Sequence, residues 1–216
     1  ERYEAFDKPI VLVVGSGRPI AYQTLEPQVD AILHLWQPGV EAGHALAKLI
    51  FGLENPSGKL AMTFPRSVGQ IPIFYNRNQS ARVGDKSWSG LYQDIESTPM
   101  YEFGHGLSYT TFAYEDLTIN KQTLEAKVKV INTGTRTGKE TLLWYVVDPE
   151  ARITQPLKKL KNFEKIELEP GEVQMVSFHI QPEKHLSYVD SNGAMHVEPG
   201  DFHIEVGGLR ASFTLD

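Results

Sequence analysis

The chain has 216 residues with 21 basic and 27 acidic side chains, a net charge of −6, and no cysteine. That balance excludes a basic nucleic-acid footprint, and the missing cysteines exclude both a disulfide framework and a thiol nucleophile. No apolar run approaches the roughly 18 residues that span a bilayer, so neither nucleic acid nor membrane is an expected partner.

Residues Ile10 to Val14 read Ile-Val-Leu-Val-Val, a short β-branched run of the kind buried on both faces of a parallel sheet. Gly15-Ser16-Gly17-Arg18-Pro19 follows. Its glycines suit a tight turn at the carboxyl end of a strand. A phosphate cradle is the weaker reading, because the third glycine of a dinucleotide fingerprint is absent. A second strand is expected over Ala31–Trp36 and a helix after Pro38-Gly39, with Leu46, Leu49, Ile50 and Leu53 on one stripe. Glu41 falls in the first turn, where the helix dipole favours an anion. His44 lacks a second ligand at metal spacing, so no metal and no cofactor are expected. Leu60–Thr63 is a candidate third strand. Three strands and one helix cannot cover both faces of a parallel sheet, so residues 1 to about 75 read as the trailing half of an α/β domain.

From Asn55 to Tyr109 the chain is rich in Pro, Gly and aromatic residues and poor in apolar periodicity. A connection of that length is usually functional or a domain joint. Within it Trp88, Tyr92 and Asp94 are of types that line binding sites, and interdomain packing would use the same residues. Gly104-His105-Gly106 reads as a tight turn with the histidine filling space or capping backbone. Arg66 reads as a tie to backbone carbonyls.

After Tyr109 the pattern alternates. Ala126, Val128 and Val130 alternate with lysines; Val176, Phe178 and Ile180, and then Phe202, Ile204 and Val206, repeat the pattern. Thr141–Val147 is another strand, and at least one of Trp144 and Tyr145 belongs in a core. The run Lys158-Lys159-Leu160-Lys161 reads as a solvated strand or loop. Glu169-Pro170-Gly171 and Glu198-Pro199-Gly200 carry Pro and Gly where a type II turn wants them. Short alternating strands at this spacing predict an antiparallel sandwich of immunoglobulin size, of the fibronectin type III variety since there is no Cys pair. The expected division is 1–113 for the α/β part and 114–216 for the sandwich.

These segments together resemble the glycoside hydrolase family 3 β-glucosidases and their β-xylosidase relatives. The resemblance is carried by Lys8–Val13, Gly17-Arg18-Pro19, Trp36–Gly43, Phe51-Gly52, Asn55–Leu60, Thr63–Pro72, Phe103–Phe112 and Leu160–Ile166. It implies an N-terminal barrel and the leading half of the α/β domain upstream of Glu1, with this chain supplying the rest. It implies retaining, exo-acting hydrolysis of terminal β-glycosyl residues, which uses two carboxyl groups about 5–5.5 Å apart. In the family these are an Asp of the barrel and a Glu on a loop before the first strand here. No catalytic residue is therefore expected within residues 1–216, only structural support and a sugar-site rim at Trp88, Tyr92 and Asp94. The implied ligand is a β-linked oligosaccharide or glucoside, the implied location periplasmic or secreted. A non-catalytic carbohydrate- or protein-binding module is the alternative. An uncovered sheet would favour self-association.

Overall fold

The computed structural model describes residues 7–78 and 94–216. It divides into two compact units. Of the described residues, one comprises 7–54, 60–75 and 94–105; the other comprises 55–59, 76–78 and 106–216.

The first unit is α/β. Strand β1 (Val11–Gly15) pairs in parallel with β2 (Ala31–Trp36), from Val11 opposite Ala31 to Gly15 opposite Trp36. Helix α1 (Ala42–Ile50) follows and stops at Gly52, whose φ of +68° is the left-handed conformation glycine adopts without strain. Glu41 stands at the N-cap position without a side-chain capping bond and meets the His44 imidazole at 2.9 Å, both at the surface. The double-sided burial expected for β1 does not occur. Val11 and Val13 remain 43% and 38% exposed, and no residue of α1 is buried. A β-branched run specifies a strand, whereas burial depends on neighbours, and among the described residues this sheet has two strands and one helix. The candidate strand at Leu60–Thr63 is instead irregular, ending in one antiparallel bridge between Phe64 and Tyr101.

The second unit is an antiparallel sandwich. Strands β3 (Phe112–Asn120), β4 (Glu125–Asn132), β5 (Gly138–Val147), β6 (Lys159–Leu168) and β7 (Val173–His179) come first. A short helix α2 (Pro182–His185) and a small hairpin of β8 (Tyr188–Val189) and β9 (Met195–His196) follow. Strands β10 (Gly200–Val206) and β11 (Leu209–Leu215) end the chain. One sheet has the order β11-β10-β5-β6 and the other β3-β4-β7. Alternate residues of both sheets meet in one core: Val128 and Val130, Leu142, Trp144 and Val146, Ile166 and Leu168, Phe178, Phe202, Ile204 and Phe213. Each large apolar side chain buried this way stabilises the fold by about 1.5–3 kcal/mol. Trp144 and Tyr145 are both buried.

Of the two Glu-Pro-Gly sequences, the first forms the expected type II turn. Gly171 has φ +77° and the Glu172 N–H donates to the Glu169 carbonyl at 2.9 Å. The second does not, since Gly200 opens β10 opposite Leu215 with φ +156°. The lysine-rich run is a strand, the start of β6.

Candidate functional site

In the first unit an aromatic cluster gathers at the carboxyl end of β2. Tyr22 and Phe64 are each 1% exposed and stack at 5.9 Å; His34 meets Trp36 edge-on at 4.5 Å and Phe64 at 5.0 Å. The Tyr22 hydroxyl pairs with His34 Nδ1 at 2.7 Å. Burial pushes the Tyr22 phenol up and the His34 imidazole down, so both are neutral near pH 7. His34 Nε2 is buried without a partner among the described residues. Tyr101 stacks on His105 at 4.9 Å, and the Gly104 N–H donates to Leu60 O at 2.7 Å, so the Gly-His-Gly segment is a turn with its histidine packed on a ring. After β1, the Ser16 hydroxyl donates to Arg18 O, and the Gln37 side chain fills the space beside Gly17. No α-helix opens behind that turn among the described residues, so the donors of a phosphate cradle are not assembled.

Two planar side chains fasten the segment that follows Asp94. Gln70 is 4% exposed; its Oε1 accepts the Arg66 N–H at 2.7 Å, and its Nε2 donates to Glu96 O at 2.9 Å and Thr98 O at 3.3 Å. Arg66 Nε donates to Thr98 O at 3.0 Å, and its Nη2 meets Glu96 Oε2 at 2.9 Å. The Met100 N–H completes the attachment, donating to Phe64 O at 2.9 Å. Asp94 itself is exposed. Trp88 and Tyr92 lie outside the described residues. The tie of Arg66 to backbone carbonyls follows the sequence expectation. Gln70 does not, because a lone glutamine in a loop carries no local signal.

In the second unit, residues 55–59 are clamped to the sandwich. Asn55 Nδ2 donates to Thr137 O at 3.0 Å, and its Oδ1 accepts from Ser108 Oγ and the Tyr109 N–H, both at 2.8 Å. Lys59 Nζ lies 3.1 Å from Glu140 Oε2 and donates to Gly106 O at 3.0 Å. The Tyr114 hydroxyl donates to Glu140 Oε1 at 2.9 Å. A Cβ at Gly106 would collide with the Gly58 carbonyl oxygen. The Asn-Pro-Ser-Gly-Lys sequence is thus a buttress, with partners too distant in sequence to be read locally.

The same unit holds a concavity of about 370 Å³ at the β5–β6 connection, lined by Asp148, Thr154, Gln155, Pro156, Leu157 and Arg210 among others. Burial pushes the Asp148 carboxyl up and the Lys159 ammonium down, each outweighing the attraction between them. Gln155 spends its amide internally, accepting from Lys159 Nζ and donating to Ile153 O, both at 3.0 Å. The Leu157 N–H donates to Arg77 O at 2.9 Å. Among the described residues no group of three His, Asp or Glu side chains could hold a metal.

Residues 1–109 match the glycosyl hydrolase family 3 C-terminal domain. The chain belongs to glycoside hydrolase family 3. Residues 140–209 of this family 3 chain match a fibronectin type III-like domain. It is 42% identical over 214 residues to the periplasmic beta-glucosidase of Salmonella typhimurium, covering 94% of this chain and 28% of that protein. It is 40% identical over 206 residues to a beta-xylosidase of Formosa agariphila, covering 93% and 28%. Among solved structures, the beta-glucosidase of Listeria innocua in complex with isofagomine superposes with a TM-score of 0.89 at 35% identity, over 99% of this chain and 31% of that one. A variant of the same Listeria innocua enzyme with laminaribiose gives 0.91 at 34% identity, over 99% and 31%. The family 3 chain therefore spans just over a quarter of the length of the curated relatives.

Proposed function

We propose that the protein carrying this chain is a retaining, exo-acting β-glycosidase that removes terminal β-D-glucosyl or β-D-xylosyl residues, in the periplasm or outside the cell. The observation that carries this reading is likeness along nearly the whole chain, 94% of it at 42% identity, to a relative named as a periplasmic beta-glucosidase. The nucleophile and the acid/base come from outside residues 1–216. This chain provides support and a sugar-site rim at Trp88, Tyr92 and Asp94. The test is steady-state turnover of aryl β-glucosides and β-xylosides. The complete gene product hydrolyses one or both with retention, and residues 1–216 alone hydrolyse neither. Turnover by residues 1–216 alone would overturn the division of roles, and an inert complete product would overturn the activity.

A second reading, a carbohydrate-binding role for the sandwich, is favoured by the concavity beside Asp148, Thr154 and Arg210. Titration of residues 1–216 with cello- and laminari-oligosaccharides, followed by amide shifts, separates the two. Under this reading shifts centre on residues 148–157; under the first they do not.

A further inference from the structure

We propose that Gln70 and Arg66 are positioning residues that set where Asp94 meets the glycoside. This rests on the reading above in which Asp94 contacts sugar. Asp94 is exposed and has no hydrogen bond or ion pair among the described residues. Two residues later the backbone is fixed from several directions. An amide and a guanidinium converge on the Thr98 carbonyl at 3.3 and 3.0 Å, the same amide holds the Glu96 carbonyl at 2.9 Å, and the Phe64 carbonyl holds the Met100 N–H at 2.9 Å.

Stability alone does not account for this arrangement. Glu96 is 73% exposed, and an ion pair that open to solvent contributes little. Of residues 94–98, Ile95 alone is partly buried and the other four are exposed. Gln70, by contrast, is desolvated and must satisfy its amide to be tolerated. What the network supplies is direction, since planar groups with fixed donor angles hold a backbone in one orientation. An exposed carboxylate two residues from such an anchor is a pre-placed acceptor for sugar hydroxyls, and losing the anchor weakens binding before it touches the reaction itself.

The experiment uses the complete gene product with Asp94→Ala, Gln70→Met, Arg66→Lys and the double variant Gln70→Met/Asp94→Ala. Steady-state kinetics on an aryl β-glucoside is read beside thermal unfolding. For Asp94→Ala and Gln70→Met the expected result is a rise in KM of about 10-fold with kcat within about 2-fold. The double variant is no worse than either single one. Arg66→Lys, which keeps the charge and loses the fork, raises KM by about 3-fold, and it carries the test if Gln70→Met does not fold. A KM that moves in Asp94→Ala but not in the Gln70 and Arg66 variants overturns the positioning role and leaves the rim reading standing. An unchanged KM in Asp94→Ala overturns the rim reading and this inference with it. A loss confined to kcat or to the melting temperature assigns Gln70 a purely structural role and also overturns it.

Discussion

Lys59 Nζ and Glu140 Oε2 lie 3.1 Å apart with side chains only 19% and 10% exposed, so the Asn55–Lys59 segment closes over the sandwich with a nearly dry ion pair. Breaking one side of such a pair leaves the other charge uncompensated. Lys59→Met should therefore destabilise the protein by about 3–5 kcal/mol. Glu140→Gln leaves the Lys59 ammonium uncompensated and, with its one oxygen on Tyr114, turns an NH2 donor toward it, so it should cost a comparable amount. Urea unfolding with the slope held fixed checks both, and a loss under about 1 kcal/mol for Lys59→Met contradicts the buttress role.

The Tyr114 phenol beside Glu140 is pushed far above its ordinary range, first by burial and then by that carboxylate. Above pH 10 the unfolded tyrosine loses its proton while the folded one keeps it. Stability is then whole below pH 10 and falls as pH rises, by about 1.4 kcal/mol per pH unit. Tyr22 and Tyr101 shift in the same direction, so the reading is the slope of the parent minus that of Tyr114→Phe between pH 9 and 11. Identical slopes would show that Tyr114 ionises freely in the fold.

Asn132 has no exposed surface and uses its whole side chain. Nδ2 donates to Arg136 O at 2.7 Å and Leu168 O at 2.8 Å, while Oδ1 accepts from Thr110 Oγ1 at 2.7 Å and the Gly134 N–H at 3.1 Å. Asn132→Ala strands several buried groups at once and should cost about 3 kcal/mol. Asn132→Asp keeps both acceptors but aims a carboxylate at two carbonyls, so it should be at least as harmful at pH 7 and partly relieved as pH falls. Denaturation midpoints at pH 5 and 7 check the order.

The first unit leaves Val40, Phe51 and Leu53 at 101%, 78% and 75% exposure, and Val11 and Val13 of β1 are also exposed. Residues 1–216 made alone should associate with rising concentration. Phe51→Lys/Leu53→Glu should shift that association by about 10-fold or more. Sedimentation velocity over a wide concentration range checks this, and a single monomer boundary throughout counts against it.

What could be read from sequence follows from how local each signal is. Strands β4, β5, β7 and β10 show themselves because one face is buried and the side-chain period is two. Strand β3 hides because its pairing slips at Asp116, where φ is +54° and the register shifts. The first half of β6 hides because Lys159 and Lys161 lie along a half-buried wall that their aliphatic stems line. The site follows the same rule. Arg66 sits among loop carbonyls and could be assigned to them. Asn55 reaches partners 53, 54 and 82 residues away, and no window of sequence contains that information.

Because residues 55–59 and 76–78 belong with the sandwich while 60–75 and 94–105 do not, the fibronectin-like part is not a portable cassette. A gene that ended just before residue 106, or began there, would sever the sandwich from pieces of its own fabric. Recombination could therefore exchange this domain between enzymes only together with its α/β neighbour, and the two should travel through evolution as one inherited block.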